Sequence, residues 1–378
     1  MRSLKIALVH DWLINYRGGE KVLEILCELL PQADVYTLLV DENKIPRSIY
    51  EKIKGVSFLQ KIYFARKHHH FFLPLFPMAM ESMVLKEDYD IIISSSHCVA
   101  KGVKKPENSL HICYCYTPMR YIWVFFDTYF PPEKFFLRMF MQILKPYLMR
   151  WDLEKNKYVD YFVSISYNVQ ERIRKYYHRD SFVIHPPVDT DFFFPQKNQA
   201  GDFYLVVSAL VPYKRVDVAV EAFNKLKKPL YIVGRGICEK ELRRKALDNI
   251  KFLGWVDKVY LRRLYSSCKA LIFCAEEDFG LVPLEACACG RPVICLGKGG
   301  VQETMIDIRD THTFPTGVYF YEQTVSSLIE AVELFERHIN YFNPSYLRKH
   351  ALKFSRDVFK EKFIKFLQKV WNEKNKAN

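Results

Sequence analysis

Apolar positions along the chain follow two periods that alternate from end to end. In the first half, "LKIALVH", "ADVYTLLV", "VSFL", "DIIISSS", "LHICYCYT", "YFVSIS" and "SFVIHPPV" are short runs rich in β-branched and aromatic residues, and they predict strands. Between them lie stripes of helical period: in "GEKVLEILCELL", Val22, Leu23, Leu26, Leu29 and Leu30 share one face. The second half repeats the pattern, with "FYLVVSAL", "LYIVG", "IKFLGWV", "ALIFCA", "RPVICLG" and "GVYFY" as strands and "VDVAVEAFNKL" and "YLRRLYSS" as helices. Runs such as "DIIIS" are apolar without alternation, which suits strands covered on both faces and therefore a parallel sheet. Strand and helix alternating twice over predicts an α/β protein of two doubly wound, Rossmann-like domains. The polar stretch "FPQKNQAGDF" is the expected join, giving domains 1–195 and 196–378. Two such sheets would face a cleft at the carboxyl ends of their strands, where ligands bind. At the end of the second domain, "FSRDVFKEKFIKFLQKVW" sets Phe354, Val358, Phe363, Phe366, Leu367 and Val370 against lysines and predicts an amphipathic helix.

Composition narrows the class. With 49% hydrophobic and 26% charged residues the chain is globular rather than disordered. No secretory leader is expected in "MRSLKIALVHDW", whose apolar run before Asp11 is too short, and "FFLPLFPMAM" is too short and too proline-broken to span a bilayer. The two C-x-C pairs, Cys113/Cys115 and Cys287/Cys289, sit in apolar surroundings and read as small buried hydrophobes in a reducing, cytoplasmic compartment. The net charge of +13 asks for an anionic partner. Ten basic residues against three acids fall between Arg348 and Lys376, on and around the predicted terminal helix, so part of that surplus is a solvated face. No nucleic-acid-binding module accompanies it, and nucleic acid is not expected as a partner.

The chemistry concentrates in "CAEEDFGLVPLEACACGRPVI". The strand "ALIFCA" precedes it, and a helix is expected from Leu281 to Cys289, with Pro283 tolerated in its first turn. Glu277 and Phe279-Gly280 then form the turn, the N–H groups of Gly280, Leu281 and Val282 are ready for an anion, and Glu285 projects from the helix start. A carboxylate at each end of an anion site suits hydroxyls on both sides of a diphosphate, the shape of a nucleotide sugar. From spacing alone, a capped helix with two surface acids fits as well. In "SALVPYKRVD", Lys214 and Arg215 sit at another strand–helix junction of the same domain and could meet the diphosphate. In "HDWLINYRGGEKVLEIL", Gly18 and Gly19 precede a first-domain helix, where a tight turn is the simpler reading. The D-x-D strings at Asp88/Asp90 and Asp189/Asp191 read as caps and turns, and "HHH" at 68–70 cannot close on one metal. No metal is expected.

Taken together, "GGEKVLE", "ISSSHCVAKGV", "YCYTPMRYIW", "VIHPPVDTDFF", "VVSALVPYKRVDVAVEAF", "IVGRG", "FLGWV", "EEDFGLVPLEACACGRPVI" and "GKGGVQETM" resemble a retaining family-4 glycosyltransferase of GT-B fold, in the bacterial mannosyltransferase-like branch of surface-polysaccharide assembly. The resemblance implies transfer of a hexose, mannose, from GDP-mannose to a glycan or polyprenyl-linked glycan in polysaccharide or O-antigen synthesis. It makes the first domain the acceptor side and the second the donor side, with no cofactor besides the donor. Glu277 would contact donor-sugar hydroxyls and Glu285 the ribose. Lys214, with Arg215, would neutralise the leaving diphosphate, and Gly19 would approach it. Asp257 is a candidate reader of guanine or a cap for the helix after it. The chain departs from the family pattern at Ala209, where an arginine is common, and at Tyr116, where a histidine is common. His97 and Tyr116 are candidate contacts to acceptor or sugar. A UDP-sugar-dependent transferase, or a sugar-nucleotide epimerase of the same fold, are the alternatives. A lipid-linked acceptor implies peripheral binding at the inner, anionic face of the cell membrane. "IYFARKHHHFFLPLFPMAM" is one candidate contact, whereas "EKFFLRMFMQILKPYLMRW" reads rather as core.

Overall fold

The computed structural model describes residues 4–196 and 201–377. It contains two compact units: Met1–Pro186 together with Phe359–Asn378, and Pro187–Val358. The first is built on a seven-stranded parallel sheet of order β3-β2-β1-β4-β5-β6-β7. Its strands are β1 Ile6–His10, β2 Asp34–Thr37, β3 Ile53–Val56, β4 Ile91–Ser96, β5 Leu110–Cys115, β6 Tyr161–Ser164 and β7 Ser181–Val183. The central strands β1, β4 and β5 are buried at every position, as unalternated apolar runs require. The second unit carries a six-stranded parallel sheet of order β10-β9-β8-β11-β12-β13. Its strands are β8 Tyr204–Val207, β9 Leu230–Val233, β10 Ile250–Gly254, β11 Leu271–Phe273, β12 Val293–Leu296 and β13 Gly317–Phe320. Each sheet reverses its winding once, between β1 and β4 in the first unit and between β8 and β11 in the second. Those switch points are where a doubly wound sheet leaves room for a ligand.

The units divide between Pro186 and Pro187, nine residues earlier than the expected join, of which residues 197–200 lie outside the described residues. Local bonding explains the difference. Val188 N–H donates to Phe354 O at 2.8 Å, and Arg262 and Arg348 donate to the carbonyls of Phe192 and Phe193, so this stretch belongs to the second unit. The terminal helix, Arg356–Ala377, was expected with the second domain but packs on the first from Phe359 onward. Phe359 and Phe363 lie against Tyr114 of β5, and Phe366 lies against Tyr161 and Phe182. Lys360 pairs with Glu28.

The helix Phe135–Lys155 also differs from expectation. Met141, Leu148 and Trp151 are core, but Phe135, Phe136, Met139, Phe140, Ile143 and Tyr147 face solvent, with Phe136 79% exposed. Within "IYFARKHHHFFLPLFPMAM", Tyr63, Phe64, Phe71 and Met78 are likewise exposed. Among the described residues no helix is long and apolar enough to cross a membrane. All ten cysteines are free, and all but Cys238 are buried.

Candidate active site

In the second unit the switch point brings two sequence motifs together. The chain leaves β8, turns through Pro212–Lys214 and enters the helix Val216–Leu226. From the neighbouring β11 it passes through Cys274–Gly280 into the helix Leu281–Ala288. Lys214 Nζ from the first turn meets Glu277 Oε1 from the second in an ion pair. Tyr213 lies under the same ammonium, 5.0 Å from ring centre to Nζ. Both charged side chains are partly covered, which reduces solvent screening of the pair.

The backbone that carries Glu277 is fixed from behind by the loop after β12. Gly300 N–H donates to Glu277 O at 2.8 Å, and a Cβ at Gly300 would stand 2.3 Å from Asp278 O. Only glycine permits that approach. Gly280 ends the turn at φ +91°, the left-handed region that glycine reaches without strain, and launches the helix. Pro283 occupies the first turn, where its missing N–H costs nothing. The N–H groups at the start of this helix have no carbonyl within the helix to bond.

The remaining second-unit candidates divide. Glu285 is buried, and Tyr265 OH donates to its Oε2 at 3.0 Å, so it is anchored rather than projecting freely. Phe279 is buried against Phe354, leaving its backbone rather than its ring available. Arg215 takes a left-handed φ of +51° and directs its guanidinium to Asp217, at 3.1–3.3 Å. The structure therefore brings Lys214, and not Arg215, to Glu277. Asp257 caps the helix Lys258–Ser267, accepting from Tyr260 N–H at 2.8 Å. Among the described residues no three His, Cys, Asp or Glu side chains are grouped as metal ligands would be.

In the first unit the switch point is organised by Asp11, a residue that no sequence motif marks. Asp11 follows β1 and is fully buried. Its Oδ2 accepts from the N–H groups of His97 and Cys98 at 2.7 and 3.0 Å, and its Oδ1 from Val99 and Ala100, both at 2.7 Å. His97 Nδ1 reaches Oδ2 at 2.9 Å. Burial alone would raise the pKa of Asp11, but the charge and hydrogen bonds of His97 outweigh it and hold the carboxyl at about 2. With Nδ1 committed, the opposite, Nε2 edge of His97 is the one left for a ligand, and the ring is set edge-on to Trp12 at 4.6 Å.

Tyr116 behaves differently. Its hydroxyl donates to Gly19 O at 3.0 Å and lies 2.9 Å from Ser95 Oγ, which also bonds His10 Nδ1 at 3.0 Å. Burial pushes the phenol pKa far up, so Tyr116 is a buried strut under the turn. Gly18 opens the helix Gly18–Leu29. A Cβ at Gly19 would meet the rings of His10 and Tyr116 only at ordinary distances of 3.6 Å, so packing in this unit does not demand glycine there.

Comparison with known proteins fits this arrangement. Over nearly its whole length the chain has the fold of solved glycosyltransferases. The structure of sucrose-phosphate synthase from Thermosynechococcus elongatus superposes with a TM-score of 0.73 at 18% identity, covering 98% of this chain and 100% of that one. The structure of HepE from Anabaena in complex with UDP and glucose gives 0.69 at 16%, covering 97% and 99%. The fold is GT-B. Residues 187–341 match the family described as Glycosyl transferases group 1. Among curated relatives, the O-antigen chain mannosyltransferase RfbU of Salmonella typhimurium is 28% identical over 44% of this chain and 48% of its own length. A GDP-mannose-dependent phosphatidylinositol monomannoside mannosyltransferase of Corynebacterium glutamicum is 38% identical over 26% and 30%. The chain spans about half the length of the curated relatives it matches most extensively.

Proposed function

We propose that the protein transfers a hexose from a nucleotide sugar to a glycan or polyprenyl-linked glycan, with retention, and that the donor is GDP-mannose. The observation that carries this reading is the Lys214–Glu277 pair at the β8/β11 switch point, beside the open N-terminus of the helix Leu281–Ala288. A diphosphate leaving group accumulates negative charge as the glycosidic bond breaks. Lys214 supplies a fixed positive charge at that point, and the helix N-terminus adds aligned N–H dipoles. Binding exchanges the carboxylate of Glu277 for phosphate as the partner of Lys214 and frees Glu277 to accept from sugar hydroxyls. Glu285, held by Tyr265, would accept from the ribose hydroxyls. His97, oriented by Asp11, is the first-unit group best prepared to contact acceptor or sugar.

Mannosyltransferases among the relatives support the mannose donor. A UDP-sugar donor is the second reading, favoured by the UDP-bound structures of similar fold. Thermal-shift titration is expected to show stabilisation by GDP-mannose and GDP. Stabilisation by UDP-sugars with no response to GDP-mannose would overturn the donor assignment. Product analysis without an acceptor separates a transferase from an epimerase, which alone would release an altered sugar.

The acceptor reading places the protein at the inner membrane face. The exposed stripe of the helix Phe135–Lys155 supports this, because no acid falls between Phe135 and Arg150 while Arg138, Lys145 and Arg150 flank it. Apolar residues gain by entering the headgroup boundary, and each basic residue near an anionic surface adds roughly 1 kcal/mol. The protein is expected to sediment with anionic vesicles at low salt and to release at high salt. Phe71→Asp combined with Phe136→Asp should abolish sedimentation while leaving the melting temperature unchanged. Indifference of the wild type to anionic vesicles would make a soluble acceptor the better reading.

A further inference from the structure

The histidine run at 68–70 has no part in the site described above, yet the structure sets two of its rings at the switch point of the first unit. They open the 3-10 turn His69–Leu75, which Leu73 and the following Phe76 anchor in the core. His69 lies against Trp12, at 5.2 Å between ring centres, and His70 lies 3.7 Å from His69 and 6.3 Å from Tyr121. Trp12 is the indole that His97 meets edge-on, so His69 and His97 share one side chain as their neighbour.

The surroundings are of one sign. Arg17, in the loop after β1, and Lys134, just before the helix Phe135–Lys155, stand near enough for their charges to act on His70, and Arg17 acts on His69 as well. Arg66 and Lys67 precede the run, and no acid occurs between Glu51 and Glu81. Among the described residues neither Arg17 nor Lys134 makes an ion pair. Burial, and then the like charge of these neighbours, lowers the pKa of both imidazoles, to about 3 for His69, and keeps them neutral at pH 7. Nδ1 of His69 is enclosed with no hydrogen-bond partner, a condition that native structures seldom leave unmet. The flanking residues are apolar. Tyr63, Phe64 and Phe71 belong to the same segment, Phe135 and Phe136 follow Lys134, and all five are exposed.

We propose that Arg17, His69, His70 and Lys134 bind the phosphate or diphosphate that joins a lipid-linked acceptor to its carrier. The proposal rests on the acceptor reading above and deepens it. Two fixed cations match a dianion, and the imidazole N–H groups add hydrogen bonds to it. The exposed rings beside them enter the headgroup boundary, the depth at which such a phosphate lies. The sugar carried on that phosphate then falls beside His97. The accepting hydroxyl therefore belongs to a sugar next to the linkage rather than to the far end of a long glycan.

The test uses the full chain with inorganic pyrophosphate and with vesicles. Calorimetry in a Lys214→Ala background keeps the donor site out of the titration. Pyrophosphate should bind there, and adding His70→Gln with Lys134→Gln should weaken it roughly 10- to 150-fold, the worth of one charge-assisted hydrogen bond. Lys134→Gln alone, a surface change, should weaken it in the same direction. GDP binding to the chain that keeps Lys214 should not respond to either substitution. Sedimentation is then compared between phosphatidylcholine vesicles carrying polyprenyl diphosphate and vesicles carrying phosphatidylglycerol at equal charge. Wild type should prefer the diphosphate vesicles, and the double variant should lose that preference. Absence of pyrophosphate binding in the Lys214→Ala background, an affinity untouched by the double variant, or equal sedimentation with both vesicles overturns the site. Pyrophosphate bound at these residues by a chain indifferent to both vesicles overturns the lipid source and makes the acceptor a soluble phosphorylated one. Failure of wild type to bind GDP bears on the donor reading instead.

Discussion

Asp11→Ala is expected to destabilise the first unit by several kcal/mol and to abolish transfer. The substitution leaves the N–H groups of residues 97–100 and the ring N–H of His97 facing an empty acceptor position. Each buried donor left unsatisfied costs about 1–3 kcal/mol, less whatever water recovers. Urea or thermal melts should show the loss directly. Asp11→Asn gives a sharper test through pH. The folded pKa of Asp11 is depressed, to about 2 from 3.8, so its ionised form contributes stability that is full above the unfolded value. That contribution, about 2.5 kcal/mol, is lost as pH falls from roughly 4 towards 2. Wild type should therefore show an acid limb that Asp11→Asn lacks. Identical melting points and identical acid profiles would show that Asp11 does not organise this turn.

Lys214→Ala is expected to slow transfer by about 10²-fold, equivalent to roughly 3 kcal/mol of transition-state stabilisation, with a smaller change in donor affinity. Glu277→Ala should also act mainly on turnover, because its contact is to the sugar in motion. The two groups touch, so their effects are coupled, and the double variant should be less impaired than the product of the single losses. Single-turnover rates with saturating donor make the comparison. A variant at either position with near-wild-type turnover would remove the switch point from the chemistry.

Much of this architecture was legible because local and global preferences agree. "VDVAVEAFNKL" folds as a helix over that same stretch, Val216–Leu226, since one unbroken apolar stripe covers it. "VSFL" misled because its apolar residues belong to two elements. Val56 closes the edge strand β3, whereas Phe58 and Leu59 sit in a 3-10 turn capped by Ser57. Lys214 and Glu277 were found as motifs, and the parallel crossover between β8 and β11 makes them neighbours. Arg215 looked equivalent to Lys214, but a left-handed backbone turned it to Asp217, which no spacing rule distinguishes. Asp11 was invisible for a different reason. Its partners lie 86 to 89 residues away, and one aspartate at the end of a strand carries no local mark of them. The terminal helix advertised an apolar face without saying which surface would receive it.

That helix has a consequence for synthesis. Tyr114, Tyr161 and Phe182 are made before the second unit, yet the rings that cover them, Phe359, Phe363 and Phe366, follow that unit in the chain. The usual order, in which the leading domain is finished while the trailing one is still being translated, does not hold for this chain. Its first unit waits, with an open aromatic face, for the second to be made.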